Sequence, residues 1–230
     1  MSTKSNTSEN IKRMTAVAVF AAVAYAVHFV HIPVAFLNLD FKDVIMAVCG
    51  MYFGPVSGVT VAVLVPLLEY PTSSTGPYGL IMNIISSVTF VGVASVVYRF
   101  KKTLSGAIAG LCAAALSMTA AMMVANLLVT PYYMGVTRGE VVALIPTMLL
   151  PFNAVKAVLN ASLTLCLYKP MTTVLRKTGF GRPSAPVLVD EAAQKKSRQR
   201  SILVWIVGGC VAIASLCVIF FVLGGSIAFN

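Results

Sequence analysis

Charge is scarce in this sequence. Asp, Glu, Lys and Arg make up 10% of its 230 residues, where a soluble domain carries about 25%. With 58% hydrophobic residues, that scarcity excludes a water-soluble globular domain and points to a chain that is mostly bilayer. Acid is scarcer than base: there are 7 Asp and Glu, and no predicted span holds a carboxylate pair, so there is little material for the proton relay of an ion-driven carrier. Glu69 is the one candidate, and at a span end it reads first as a solvated interfacial residue. No Gly-x-x-x-x-Gly-Lys-Ser/Thr phosphate loop occurs, so no ATP site is expected in this chain. His-Glu-x-x-His and Gly-x-Ser-x-Gly are missing too, which leaves an enzyme reading without a nucleophile and base. The five cysteines (Cys49, Cys112, Cys166, Cys210, Cys217) sit in apolar runs without paired spacing and read as small buried hydrophobes. His28 and His31 have no cysteine cluster beside them, so no metal site is expected.

Base is plentiful, and its placement matters more than its sum of +10. Of 17 Lys and Arg, 14 fall in three segments: Lys4 to Arg13, Arg99 to Lys102, and Lys169 to Arg200. Only Lys42 and Arg138 lie in the opposite loops. That is the positive-inside pattern, which puts the three basic segments in the cytoplasm. Topology and attraction to anionic lipid account for the charge without a nucleic acid partner. The polar first residues lack the small-residue cleavage site of a signal peptide.

Apolar stretches of about 20 residues suit a hydrocarbon core of about 30 Å. A first span runs from about Met14 to Val30, followed by a loop from His31 to Asp43. The stretch Val44 to Leu68 is broken at Gly54-Pro55, where proline removes a donor. It reads as two helices, Val44–Phe53 and Val56–Leu68, joined by a tight cytoplasmic turn. The first is short for a full crossing and is expected to pack within protein. Asp43 reads as its N-cap. Further spans cover about Leu80–Tyr98, Ser105–Val129 and Leu144–Tyr168, and a seventh covers Ile202–Leu223. The organisation predicted is a cytoplasmic segment 1–12, a membrane domain 13–178, a basic linker 179–201 and an added helix 202–224. The fold class is all-α: a multi-pass cell-membrane protein with the N-terminus cytoplasmic and the C-terminus outside. No repeat relates the halves, so an inverted-repeat carrier has no support.

Lys156 is the exception to the charge pattern, because it lies inside a span. Asn153, Lys156, Asn160 and Thr164 follow at i, i+3, i+7 and i+11, one face of a helix. A cation on a polar stripe in a bilayer either faces a polar site or snorkels to the interface. Asn160 and Thr164, deeper on the stripe, read as contacts between helices. Asp40 is either a contact over such a site or an exposed loop charge. Ala18, Ala22 and Ala26, four apart on the first span, form a small-residue ridge suited to close helix packing.

Four strings together resemble the substrate-binding S component of an energy-coupling factor (ECF) vitamin transporter, of the riboflavin-binding type. They are Leu39-Asp40-Phe41-Lys42-Asp43-Val44, Gly54-Pro55-Val56-Ser57-Gly58-Val59, Thr75-Gly76-Pro77-Tyr78-Gly79-Leu80-Ile81-Met82-Asn83, and Pro151-Phe152-Asn153-Ala154-Val155-Lys156 with Leu167-Tyr168-Lys169 after it. The resemblance covers about residues 10–178. It implies a six-helix bundle that binds without hydrolysis, energised by a membrane coupling protein and two ATPase subunits. The seventh helix is a departure from it.

In the family, residues matching Asn153, Lys156 and Asn126 contact the flavin, and the loop holding Leu39, Asp40 and Phe41 gates the pocket. Asn83 joins the expected set through the third string. The resemblance also implies docking of the coupling protein on Ala18, Ala22 and Ala26. The chemistry is consistent: a flavin's imide edge sets an N–H between two carbonyls, and an Asn amide offers the complementary donor and acceptor. Leu39 and Phe41 are expected to pack on the ring face. No cofactor beyond the carried ligand is implied. A different vitamin, such as pantothenate or thiamin, or an ion-coupled carrier, are the other readings.

Overall fold

A computed structural model describes residues 3–35, 37–73, 76–177, 191–224 and 228–229. Eight helices follow in order: α1 (Thr3–His28), α2 (Lys42–Phe53), α3 (Pro55–Glu69), α4 (Gly76–Phe100), α5 (Leu104–Met134), α6 (Arg138–Leu144), α7 (Leu150–Lys177) and α8 (Glu191–Phe221). Three short strands, β1 (Val30–Val34), β2 (Leu37–Asp40) and β3 (Ala228–Phe229), join them. Six segments are long and apolar enough to cross a membrane: Asn10–His28, Pro55–Thr72, Gly76–Phe100, Leu104–Met134, Arg138–Tyr168 and Ile202–Phe221. Helix α2, with 12 residues, spans only about 18 Å at 1.5 Å per residue. It is buried from Lys42 to Met51, as its shortness predicts, and packs on α1, α3, α4 and α7.

The break at Gly54-Pro55 is the sharp turn between α2 and α3. Gly54 takes φ 103°, a backbone that side-chain-bearing residues avoid, and Pro55 opens α3, where its missing N–H costs nothing. Beyond the turn the helices nearly touch. A Cβ on Gly58 would lie 2.5 Å from the Gly50 Cα, the close approach that small residues permit in membranes. The same side is tied to α1, where Arg13 Nη2 donates to Ser57 Oγ at 2.7 Å.

Two expectations change. The loop His31–Asp43 is an antiparallel hairpin, pairing His31 with Asp40, Ile32 with Leu39, Pro33 with Asn38 and Val34 with Leu37. Strand β3 adds to its other edge, pairing Val30 with Phe229 and His31 with Ala228. The helical bundle therefore carries a three-stranded sheet at one end. Asp43 is not the N-cap of α2. The helix begins at Lys42 after Phe41, with no side-chain cap, and Asp43 points into the bundle instead.

The predicted linker 179–201 falls outside the described residues at 179–190. From 191 onward it is helix, the start of α8. Phe36 of the hairpin turn and Thr75 of the third string also lie outside them. The helix carrying Lys156 is preceded by a wider, π-helical turn, Ile145–Leu149, with Pro146 near its start.

Candidate functional site

The hairpin's period of two gives it two different faces. On one, His31, Asn38 and Asp40 look into a cavity of about 140 Å³. On the other, Ile32, Val34 and Leu39 are buried in an apolar cluster with Phe152 and Leu159 of α7 and Ala212 and Ile219 of α8. Most of the remaining wall comes from α4, α5 and the start of α7, including Tyr78, Asn83, Ser86, Asn126, Asn153 and Lys156, with His28 of α1 and Thr72 and Ser73 after α3 completing it.

Five of the residues singled out from sequence thus meet around one space: Asn83, Asn126, Asn153, Lys156 and Asp40. Leu39 and Phe41 do not. Leu39 is fully buried on the opposite face of β2, and Phe41 packs against the same apolar cluster. The alternation that sends Asp40 inward sends its two neighbours away from the cavity.

Three of the polar wall residues, Asn126, Asn153 and Lys156, have a defined anchor. Asn126 Nδ2 donates to Met122 O at 2.7 Å, and its Oδ1 accepts from Thr130 Oγ1 at 2.9 Å. Asn153 Nδ2 donates to Leu149 O at 2.8 Å. One amide proton is spent on the residue's own helix, which fixes the rotamer; the second amide proton of each Asn remains for a ligand. Lys156 does not snorkel. It is buried, and its Nζ donates to Asp40 Oδ2 at 3.3 Å. Asp40 is likewise no exposed loop charge, and its other oxygen, Oδ1, is buried at the cavity without a hydrogen-bond partner among the described residues.

A second layer lies beneath the hairpin. Asp40 Oδ2 also stands 3.6 Å from Lys42 Nζ, and Lys42 Nζ donates to Glu69 Oε2. His28 Nδ1 lies 3.4 Å from Glu69 Oε1. Glu69 is therefore a buried partner at 2% exposure, not the solvated interfacial residue its position suggests. Asp43, behind the cavity, accepts from Ser87 Oγ at 2.6 Å and from Asn160 Nδ2 at 3.3 Å. Thr164 Oγ1 donates to Asn160 O at 2.6 Å. Asn160 thus ties α7 to α2, as its depth implies, while the hydroxyl of Thr164 bonds back to its own helix.

Three carboxylates, Asp40, Asp43 and Glu69, are buried close together on three different elements, so that no single span holds a pair. Burial alone would raise the Asp40 carboxyl. The ammonium of Lys156, and then that of Lys42, outweighs it and holds the pKa down at about 2. Among the described residues, no group of His, Cys, Asp and Glu is arranged to hold a metal ion.

Ala18, Ala22 and Ala26 are all exposed, while Ala16, Phe20, Ala21 and Ala24 face the core. The alanine ridge is consequently on the outside of the bundle rather than packed within it.

A family profile described as ECF transporter, substrate-specific component, matches residues 12–168. The riboflavin transporter RibU of Staphylococcus aureus (strain TCH60) is 28% identical over 184 residues, covering 76% of this chain and 97% of that protein. RibU of Streptococcus thermophilus (strain ATCC BAA-250 / LMG 18311) is 24% identical over 182 residues, covering 73% and 86%. The riboflavin transporter FmnP of Bacillus subtilis (strain 168) is 22% identical over 162 residues, covering 64% and 85%. Among solved structures, the S component of a bacterial ECF transporter aligns with a TM-score of 0.63 at 28% identity, covering 73% of this chain and 99% of that one.

Proposed function

Because this chain belongs to the ECF transporter substrate-specific components, we propose that its cavity takes riboflavin from outside the cell for ATP-driven uptake. It is a multi-pass membrane protein, and its place in that family makes it a transport component, not an enzyme. The energy comes from partners: a membrane coupling protein and two ATPase subunits.

The observation that carries the substrate is the meeting of Asn126, Asn153 and Lys156 around one cavity closed by Asp40. Asn153 and Asn126 present amides to the imide edge. Lys156 donates to a flavin carbonyl or a ribityl hydroxyl. The unpaired Asp40 Oδ1 accepts from a hydroxyl or from the imide N–H. Asn83 adds a further polar contact from α4. Polar groups built for such a ligand reject analogues that leave them unpaired in a buried site. Relatives named as riboflavin transporters lend the same reading support.

Two placements complete the proposal. The N-terminus and the three basic segments are cytoplasmic, which puts the hairpin and the cavity mouth on the outer side. The outward alanine face of α1, at Ala18, Ala22 and Ala26, receives the coupling protein. The deciding experiment is an absorption spectrum of the protein purified in detergent. Stoichiometric flavin bands are expected. A colourless protein that also fails to quench the fluorescence of added riboflavin would overturn the substrate, and other vitamins would then be titrated.

A further inference from the structure

The stretch from 191 to 229 lies outside the region that the family profile matches, residues 12–168, yet it touches the part of the molecule that closes the site. Helix α8 packs on α7. Its Ala212 and Ile219 are buried with Ile32, Val34 and Leu39, the back face of the hairpin, and Leu216, Phe220 and Leu223 pack around them. Beyond α8, β3 hydrogen-bonds to the open edge of β1 at Val30 and His31. The hairpin is thus held from behind by apolar contact and from the side by backbone pairing. We propose that α8 and β3 form a positioning element of the binding site, a strap that holds the hairpin, and with it Asp40, closed over the cavity.

Three physical points support this. A two-stranded hairpin alone is marginally stable, and a third strand or a packed element supplies what it lacks. The hairpin's cavity face is polar, with His31, Asn38 and Asp40, so its apolar back face is what can anchor it. Finally, α8 is seated closely. A Cβ on Gly208 would lie 2.8 Å from Cys166 Sγ and 3.5 Å from Ser162 O of α7, so any side chain there must displace Cys166, and a large one the helix itself. A strap of this kind slows opening, and its main effect falls on the rate at which bound ligand leaves.

Two full-length variants test it. Gly208→Leu wedges α8 away from α7. The double variant Ala228→Pro/Phe229→Pro removes the β3 backbone donors, at residues too peripheral to unfold the bundle. Two readouts apply to each: hydrogen exchange of the peptide covering residues 30–41 in lipid nanodiscs, and riboflavin dissociation by stopped-flow fluorescence. Both variants are expected to exchange faster in the hairpin, with α4 and α5 unchanged, and to release riboflavin about tenfold faster. Parental exchange in the hairpin overturns the strap, as does faster exchange with parental dissociation. The role in retention rests on the riboflavin reading. If the parent binds no flavin, that reading fails by itself, while the exchange arm still decides whether the strap holds the hairpin.

Discussion

Lys156 Nζ donates to Asp40 Oδ2 at 3.3 Å across 116 positions of sequence, joining the polar stripe of α7 to the hairpin that covers the cavity. The two residues are not equivalent. Asp40 has a second cation, Lys42, at 3.6 Å, whereas Lys156 has Asp40 alone among the described ion pairs. Stripping one partner from a buried pair leaves an uncompensated charge and costs about 3–5 kcal/mol. Asp40→Asn is therefore expected to lower the melting temperature in detergent more than Lys156→Met does. The double variant should regain much of the stability that Asp40→Asn loses, without regaining flavin retention. Equal losses for the two single variants would contradict this arrangement.

The same pair sets an acid limit. The Asp40 carboxyl lies below its ordinary value of 3.8, at about 2, so its contribution to stability is whole above the ordinary value and is lost as pH falls from there through about 2. Thermal melts should show this loss in the parent. In Asp40→Asn that component should be missing.

On the proposed riboflavin reading, Asn126→Ala and Asn153→Ala each remove a ligand contact from a buried site, worth about 1–3 kcal/mol, or roughly 5- to 150-fold in the riboflavin dissociation constant. Fluorescence titration should show the loss while the melting temperature moves little, because each side-chain bond given up is to the residue's own helix.

Asp43 makes the converse case. It lies behind the cavity and accepts from Ser87 and Asn160. Asp43→Ala leaves both donors buried and unpaired, costing about 1–3 kcal/mol each. A clear loss of stability is expected, with the dissociation constant of the folded fraction close to the parent's. A large affinity loss at parental stability would instead make Asp43 a ligand residue.

The docking proposed for the alanine face of α1 predicts that binding and uptake can be separated. Ala22 is exposed, so Ala22→Trp should fold and bind riboflavin as the parent does. Co-purification with the coupling protein and vesicle uptake should fall sharply. Parental uptake by Ala22→Trp would move the docking surface elsewhere.

Much of this site was legible from local pattern. The helical spacing of Asn153, Lys156, Asn160 and Thr164 needs only one element, and the break at Gly54-Pro55 marks itself. What remained hidden depends on pairing between elements. The hairpin escaped because its strands are short and carry Pro33, and its pairing answers to the surrounding helices more than to propensity. Glu69 and Lys42 looked like two unrelated charges at helix ends. The turn at Gly54-Pro55 folds α3 back along α2 and brings them to the same level, a signal that could have been read from the near-equal distances of the two residues from that turn. Leu39 and Phe41 are illegible for a different reason: a strand has two surfaces, and the alternation that turns Asn38 and Asp40 to the cavity turns Leu39 to the apolar cluster, with Leu37 touching both.

The wide turn at Ile145–Leu149 acts on all that follows it as a phase adjustment. Each residue advances an α-helix by about 100°, so one residue more or fewer before Leu150 swings Asn153 and Lys156 together out of the cavity wall and toward a neighbouring helix or lipid. The length of that turn, rather than the identity of any side chain in it, is what aims the polar stripe.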